Sequence, residues 1–408
     1  MLESLRTGVW LTSQRLRVYP VILLALFGLA LVLLVATSTG NLDRFGRPLG
    51  TDFSEIWAAG IEANAGHPAQ PYDNAAHYAE QQLLFGPATS FYVWPYPPYF
   101  LALAAVLALL PYLPALAIWQ FATLPFYLAP IFVLLRADAV PARQVLIAAL
   151  AFPAVFVNLV HGHNGFLTAG LLAGGVLCLN SRPLLAGVLF AALAYKPQFG
   201  LVVPVALIAG GHWRSLATAT GALALMTGAS ISAFGMETWR AFLASTTFTR
   251  EVVLEQGATG WEKIQSTFAA VRMFGGTTGA AYLAQGLATC AVLAALAWLW
   301  RCNADRRLQL ASIMVASLLT TPYCLDYDMV LLGPALAAAI GYGLHKGFGP
   351  YEKTTLAFVW IVPLLARTVA GDFFIPAGVI VMGLFFVGLV RRANCERDRL
   401  WALASCTN

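Results

Sequence analysis

The chain should fold as an all-α, polytopic transmembrane helical bundle of about twelve spans, and three observations predict it. The 408 residues are 59% hydrophobic and 11% charged, with a mean hydropathy of +0.73; soluble proteins carry roughly 25% charged residues. Apolar runs, the best of them near the roughly 20 residues a bilayer core requires, recur along the whole chain. Basic residues cluster between these runs, where they set orientation, so a net charge of +5 is no sign of a nucleic-acid partner. No stretch is polar enough for a soluble domain, and residues 1–408 are expected to form one membrane domain.

Residues 1–18 carry Arg6, Arg15 and Arg17 against Glu3 and should stay in the cytoplasm. The apolar run 19–38 is as long as a span and ends in no clear small-residue cleavage site, so it is read as a first span and not a cleaved signal. Residues 39–95 form a first outer loop with two expected juxtamembrane helices. In the first, Thr51 is the expected N-cap. Asp52, Glu55 and Glu62 then fall on one side and Phe53, Trp57 and Ile61 on the other, the pattern of a helix lying along a membrane surface. The second is expected over 73–85 with Gly86 as C-cap. The loop ends in an aromatic and proline cluster in which Trp94 and Tyr96 are expected as interfacial anchors.

Apolar runs follow at 100–110 and 113–135, broken by Pro111 and Pro114; parity makes one of them a short or re-entrant piece. Further spans are expected at 144–160, 166–179, 184–194, 199–210 and 216–234. Residues 235–275 read as a second outer loop with a short helix near 264–274, followed by spans at 280–300, 308–320, 329–344, 354–367 and 374–390. The tail carries Arg391, Arg392, Arg397 and Arg399. Taking it as cytoplasmic, with Arg182, Arg214 and the turn at 301–307, puts the first loop, the turn at 161–164, Lys196, the second loop and residues 321–328 on the outer face. The six cysteines form no CxxC or zinc spacing, and no disulfide framework is expected.

Ionisable groups at membrane depth are costly and therefore functional candidates. His161-Gly162-His163-Asn164 joins two spans, either as a hydrophilic turn with Asn164 as N-cap or as part of a site. In Tyr195-Lys196-Pro197-Gln198, the lysine either snorkels to the interface or presents a point charge for a phosphate. Residues 320–328 place Tyr323, Asp326, Tyr327 and Asp328 directly between spans, with Asp328 also a potential helix cap. Arg250 lies in the second loop with Arg240, Glu251, Glu255, Trp261 and Lys263, where a basic group could hold a lipid phosphate. Arg367 and Asp372 are expected to pair at the outer interface.

No GxxxxGK[ST], HExxH, GxSxG or strand-borne GxGxxG occurs, so no nucleotide cofactor is implied. Asp52, Glu55, Asp326 and Asp328 could in principle hold a metal, but their spacing does not demand one, and neither metal nor cofactor is assigned.

The order of these pieces resembles glycosyltransferase family 87, within the GT-C superfamily of polyprenol-phosphate-mannose-type transferases. The resemblance rests on Thr51-Asp52-Phe53 with Trp57, the turn His161-Gly162-His163-Asn164 in place of a "GQxN" element, Lys196-Pro197, and Pro322 leading to Asp326-Tyr327-Asp328. His163 stands where the family has glutamine. The resemblance implies a GT-C-type bundle in the cytoplasmic (inner) membrane with its active site on the periplasmic face. It would move a sugar, mannose first, from a polyprenyl-phosphate donor to a lipid or glycan acceptor, with inversion. Asp52 would be the base, with Glu55 as the fallback, and the helix N-terminus would favour its charged form. Lys196, His161, His163 and Arg250 would meet the phosphate. Asn164, Gln198, Tyr323, Asp326, Tyr327, Asp328 and Trp57 complete the candidate binding set, Trp57 either stacking on a sugar or anchoring at the interface. The competing class is a transporter or lipid flippase, which would show internal repeats and polar groups at the midplane.

Overall fold

The computed structural model describes residues 2–406, with side chains through Arg397; Arg399 and Cys406 lie beyond those side chains. In chain order the α-helices are α1 (Leu2–Thr7), α2 (Ser13–Ala36), α3 (Thr51–Asn64), α4 (Asn74–Phe85), α5 (Pro98–Leu107) and α6 (Tyr112–Arg136). Next come α7 (Ala142–Leu150), α8 (Pro153–His161), α9 (Gly165–Cys178), α10 (Pro183–Ala192), α11 (Pro197–Gly200), α12 (Val202–Ala209) and α13 (Trp213–Phe248). The chain ends with α14 (Thr267–Met273), α15 (Thr278–Arg301), α16 (Arg306–Leu319), α17 (Leu332–Lys346), α18 (Glu352–Phe373) and α19 (Ala377–Cys406). The protein is a helical, multi-pass membrane bundle.

Among the described residues, seven helices are long and apolar enough to cross a membrane: α2, α6, α13, α15, α17 with the 3-10 turn before it, α18 and α19. α7 and α8 meet at a 55° bend, the geometry of a broken span or a re-entrant loop, and count as an eighth where the pair is taken as one span. The other expected spans are short helices: α5, α9, α10 and α11 with α12, all apolar, and α16, which has 14 residues. At 1.5 Å per residue such helices reach only about 15–21 Å, so not every segment counted toward twelve is of spanning length. Of the two runs between the first loop and Arg136, α5 is the short one, with 10 residues against 25 in α6. Its ten residues start at Pro98, whose missing N–H fits a first helical turn.

The first loop departs from expectation. Thr51 is inside α3; the cap position is Gly50, at φ 70°, and no side chain caps the helix. Nor does α3 lie along a surface. Phe53, Ile56, Ala58 and Ala59 are buried, but so are Glu55 and Glu62 on the other side. The small residues Ala58, Ala59 and Gly60 give α3 a second packing face, and α5 docks against it. Glu62 is accommodated by His77 of α4, whose Nδ1 lies 2.8 Å from its carboxylate. The second helix matches expectation closely: Asp73 caps α4 by accepting from the Ala75 and Ala76 N–H, and Gly86 ends it. Trp94 is 1% exposed and Tyr96 is buried with it, so these rings are core rather than interfacial anchors. They stack with Phe100 and Tyr195 and fix the loop onto the bundle.

A Cβ at position 60 would overlap the carbonyl group of Ala104. Gly60→Ala should therefore push α3 off α5 and cost about 1–3 kcal/mol, read as a lowered Tm. An unchanged Tm would show that the α3–α5 contact is not close-packed.

Residues 235–262 are largely helical, not a loop. Gly235 breaks the axis at φ 81°, yet α13 resumes to Phe248 and continues as a π-helix over Thr249–Glu255. A glycine kinks a helix but does not forbid its continuation. α14 forms at Thr267–Met273 under the Ser266 cap, near where a short helix was expected. Leu254, Ile264 and Phe268 form a second small core with Leu325 and roof the segment 321–328. The Gln265 N–H donates to the Cys324 carbonyl there. Arg367 and Asp372 do not pair with each other; both belong to α18, five residues apart, a spacing that puts them on different faces.

Candidate active site

The segments that carry unusual polar residues meet at one end of the bundle. Gly50 and Gly162, both at positive φ, let the start of α3 press against the α8–α9 turn; a Cβ on Gly162 would sit 2.6 Å from that of Phe53. The turn is held from inside by Asn158, whose amide donates to the His163 carbonyl and whose oxygen accepts from the Gly165 N–H. Trp119 donates to the Gly162 carbonyl and Tyr112 to that of Leu49. Asn158, Trp119 and Tyr112 were not singled out from sequence. A lone asparagine in an apolar run was the available signal for Asn158.

Thr51 Oγ1 lies 2.8 Å from His161 Nδ1, which is 3.7 Å from the Asp52 carboxylate. Asp52 is 16% exposed at its side chain, the most open acid of the group. The His161 ring meets Tyr327 edge-on, and Tyr327 stacks on His163 at 3.7 Å. His163 Nε2 is 3.4 Å from the Lys196 ammonium, which donates to Asp328 at 2.7 Å. Asp328 also accepts from the Leu325 N–H, so it caps the 3-10 turn as well as pairing with the lysine. Lys196 and Asp328 are 3% and 2% exposed. The result is one string of contacts, Asp52–His161–Tyr327–His163–Lys196–Asp328.

An ammonium only donates, so His163 Nε2 accepts from Lys196 and the ring proton sits on Nδ1. Burial, followed by the Lys196 and His161 charges, holds this imidazole well below its usual range, in keeping with a neutral ring. Its Nδ1 is buried and has no partner. The side chain of Asn164, at the N-cap position of α9, caps nothing; both amide atoms are buried and unpartnered, with the Tyr96 hydroxyl nearby. Buried polar atoms without partners are rare in folded proteins.

Glu55 is buried behind Asp52. Burial, then the Asp52 charge, push its carboxyl well above the usual range, with the Lys196 ammonium pulling the other way. The folded state thus keeps a proton that the unfolded chain gives up above about pH 4.5, so stability falls as pH rises from there toward the folded value. Glu55→Gln should flatten that descent. Tm measured between about pH 5 and 8 should drop more steeply in the wild type than in the variant; parallel profiles would mean that Glu55 is not held protonated.

Lys196, Gln198, Tyr323 and Arg250 line a cavity of about 380 Å³ with Tyr96 and Tyr195. Arg250 is exposed at its rim and engaged by Glu251 and Glu255. Asp326 is buried, its carboxylate accepting from the Tyr327 N–H and facing the charges of His161 and Arg367. Trp57 is not brought to the site: it donates to the Leu110 carbonyl and packs on Tyr112 and Phe85. Among the described residues, no three His, Cys, Asp or Glu side chains converge as a metal-binding group.

A multi-span helical bundle with a polar, partly buried string and a cavity at one end is an integral membrane protein built around a site at that end. Residues 94–324, more than half of the chain, match the model of glycosyltransferase family 87, and the chain belongs to that family. It is a membrane glycosyltransferase. No curated protein and no solved structure matches the chain. The matched stretch contains His161, His163, Asn164 and Lys196, while Asp52 and Asp326–Leu331 flank it.

Proposed function

We propose that this glycosyltransferase moves a sugar, mannose as the first candidate, from a polyprenyl-phosphate donor to a lipid or glycan acceptor. It would do so at the outer, periplasmic face of the cytoplasmic membrane, with inversion. The observation that carries the proposal is the string linking a partly open carboxylate, Asp52, to a buried ammonium, Lys196, which lines a cavity. Inverting transfer needs these two groups apart. Asp52 takes the proton of the acceptor hydroxyl as its oxygen attacks the anomeric carbon. The bond from that carbon to the phosphate oxygen breaks, and the lipid phosphate leaves with the electron pair. Lys196, the His163 Nδ1–H and the Asn164 amide are the groups suited to receive the departing phosphate. Glu55 is buried behind Asp52, its carboxyl pushed above the usual range, while Asp52 is the more open of the two acids, which favours Asp52 as the base.

The outer-face assignment is supported by charge. Arg136, Arg182, Arg214, Arg301, Arg306, Arg307 and Lys346 all lie at the ends of helices remote from Asp52.

The test is direct. Purified protein in proteoliposomes, given a labelled polyprenyl-phosphate mannose and a lipid extract as acceptor, should release polyprenyl phosphate and label the extract. Transfer from a nucleotide sugar, with none from polyprenyl-phosphate sugars, would overturn the donor class. Transfer of another sugar in preference would correct mannose alone.

A further inference from the structure

At the opposite end of the bundle the α10–α13 pair builds a second polar feature, and we propose that it holds the phosphate headgroup of an anionic phospholipid. α10 and α13 run parallel and tightly apposed. Ser215 Oγ donates to the Pro183 carbonyl at 3.0 Å, and one turn further a Cβ on Gly187 would meet Thr218 at 2.5 Å. Both helices therefore begin side by side. The residues at their cap positions, Arg182 and His212, make no side-chain cap, so the first amides of both helices are left to another acceptor.

Between these starts lies a cavity of about 570 Å³ lined by Ser181, Arg182, Pro183, Leu184, Leu185 and Arg214. No carboxylate lines it. Arg182 and Arg214 are exposed and have no hydrogen-bond or ion-pair partner among the described residues. A third guanidinium, Arg306, is drawn to the same turn by donating to Asn180 at 2.6 Å. Its other terminal nitrogen is buried without a partner. Asp305, beside Arg306, is the acid whose charge reaches this group, and His212 is held below its usual range by burial and by Arg306.

Orientation alone would account for basic residues here, but not for two free arginines converging on one cavity. The wall beside them is apolar: Leu184 and Leu185 line the cavity and are exposed, and Val188 of α10 and Trp213 at the start of α13 are exposed as well. An anion above and a hydrocarbon surface below is the chemistry of a phospholipid, and basic pockets between membrane helices take such headgroups. A free phosphate would meet the arginines and leave the leucines uncovered. The 13 residues from Pro183 to Tyr195 set this place about 20 Å from Lys196, so it is separate from the transfer site.

The test uses the full chain in neutral detergent, its Tm followed on adding phosphatidylglycerol, phosphatidylcholine or inorganic phosphate. Phosphatidylglycerol should raise Tm by several degrees, and the other two should not. Arg182→Gln with Arg214→Gln should lose most of that shift, while Gly60→Ala, at the other end, should keep it. An equal shift in the double variant, or from phosphatidylcholine, would overturn the site. Inorganic phosphate reproducing the shift would overturn the lipid as its ligand. Should the double Gln variant fail to insert, Arg182→Lys with Arg214→Lys keeps the charge. Its phosphatidylglycerol shift should shrink with added salt, and a salt-independent shift would also overturn the proposal.

Discussion

Asp52→Asn should abolish measurable sugar transfer, lowering kcat by about 10²–10⁴-fold, with Tm unchanged. The substitution is isosteric and removes the ability to accept a proton, together with a charge that acts on His161 and Glu55. Thr51 keeps its contact with His161, the Asp52 side chain is partly open, and the neutral amide can still meet the imidazole, so the fold should tolerate the change. The donor KM should stay within a few-fold, because the donor phosphate is assigned to the Lys196 end of the string. Glu55→Gln is the internal control. Glu55 sits one helical turn away, buried behind Asp52, with its carboxyl pushed up by burial and by the Asp52 charge, so its amide should retain most activity. The reverse pattern, an active Asp52→Asn enzyme and an inactive Glu55→Gln one, would transfer the role of base to Glu55. Activity in both variants would end the assignment of a carboxylate base to α3.

What the sequence made legible followed from strong one-dimensional signals. Hydropathy located the long spans, proline and glycine punctuated the short helices, and charge placed Asp52, His161, Lys196 and Asp328 at one end of the bundle. Burial was not legible. The period of α3 places Phe53, Trp57 and Ile61 on one side, but helical spacing cannot say how many partners a helix has. Gly60 was the clue, since a glycine within a helix marks close approach, here to Ala104. The burial of Trp94 and Tyr96 was hidden for the same reason: an aromatic cluster beside prolines suits either an interface or a core. At the site, the sequence identified the residues but not their pairing. For Lys196 the sequence offers either a side chain snorkelling to the interface or a point charge for a phosphate at an outer cavity. Lys196 lines a cavity and is also paired with Asp328, 132 positions later, a partner that only the packing of α9, α10 and the 3-10 turn before α17 can supply. Asn158, which shapes the His161–Asn164 turn, was hidden inside an apolar run.

That pairing sets the second large expectation. Lys196→Met leaves the Asp328 carboxylate buried with a single backbone donor, and breaking a buried pair in this way costs about 3–5 kcal/mol. The single variant should therefore lose Tm and activity together, which by itself does not separate support from chemistry. The double variant, Lys196→Met with Asp328→Asn, does. It removes both charges while the introduced amide can still accept from the Leu325 N–H, and exchanging a buried pair for neutral groups is often near neutral in stability. Its Tm should return close to that of the wild type. Transfer should not return with it. A charged hydrogen bond to phosphate contributes about 1.5–3 kcal/mol, so donor KM or kcat/KM should stay worse by about 10–150-fold. If the double variant recovers both Tm and turnover, Lys196 serves only to neutralise Asp328, and the phosphate must be met by His163, Asn164 or Arg250. If Tm recovers and turnover does not, the buried ion pair is the donor site in its resting state. Asp328 then occupies Lys196 until a phosphate competes for it, and donor affinity should rise in Asp328→Asn alone as that competition is removed.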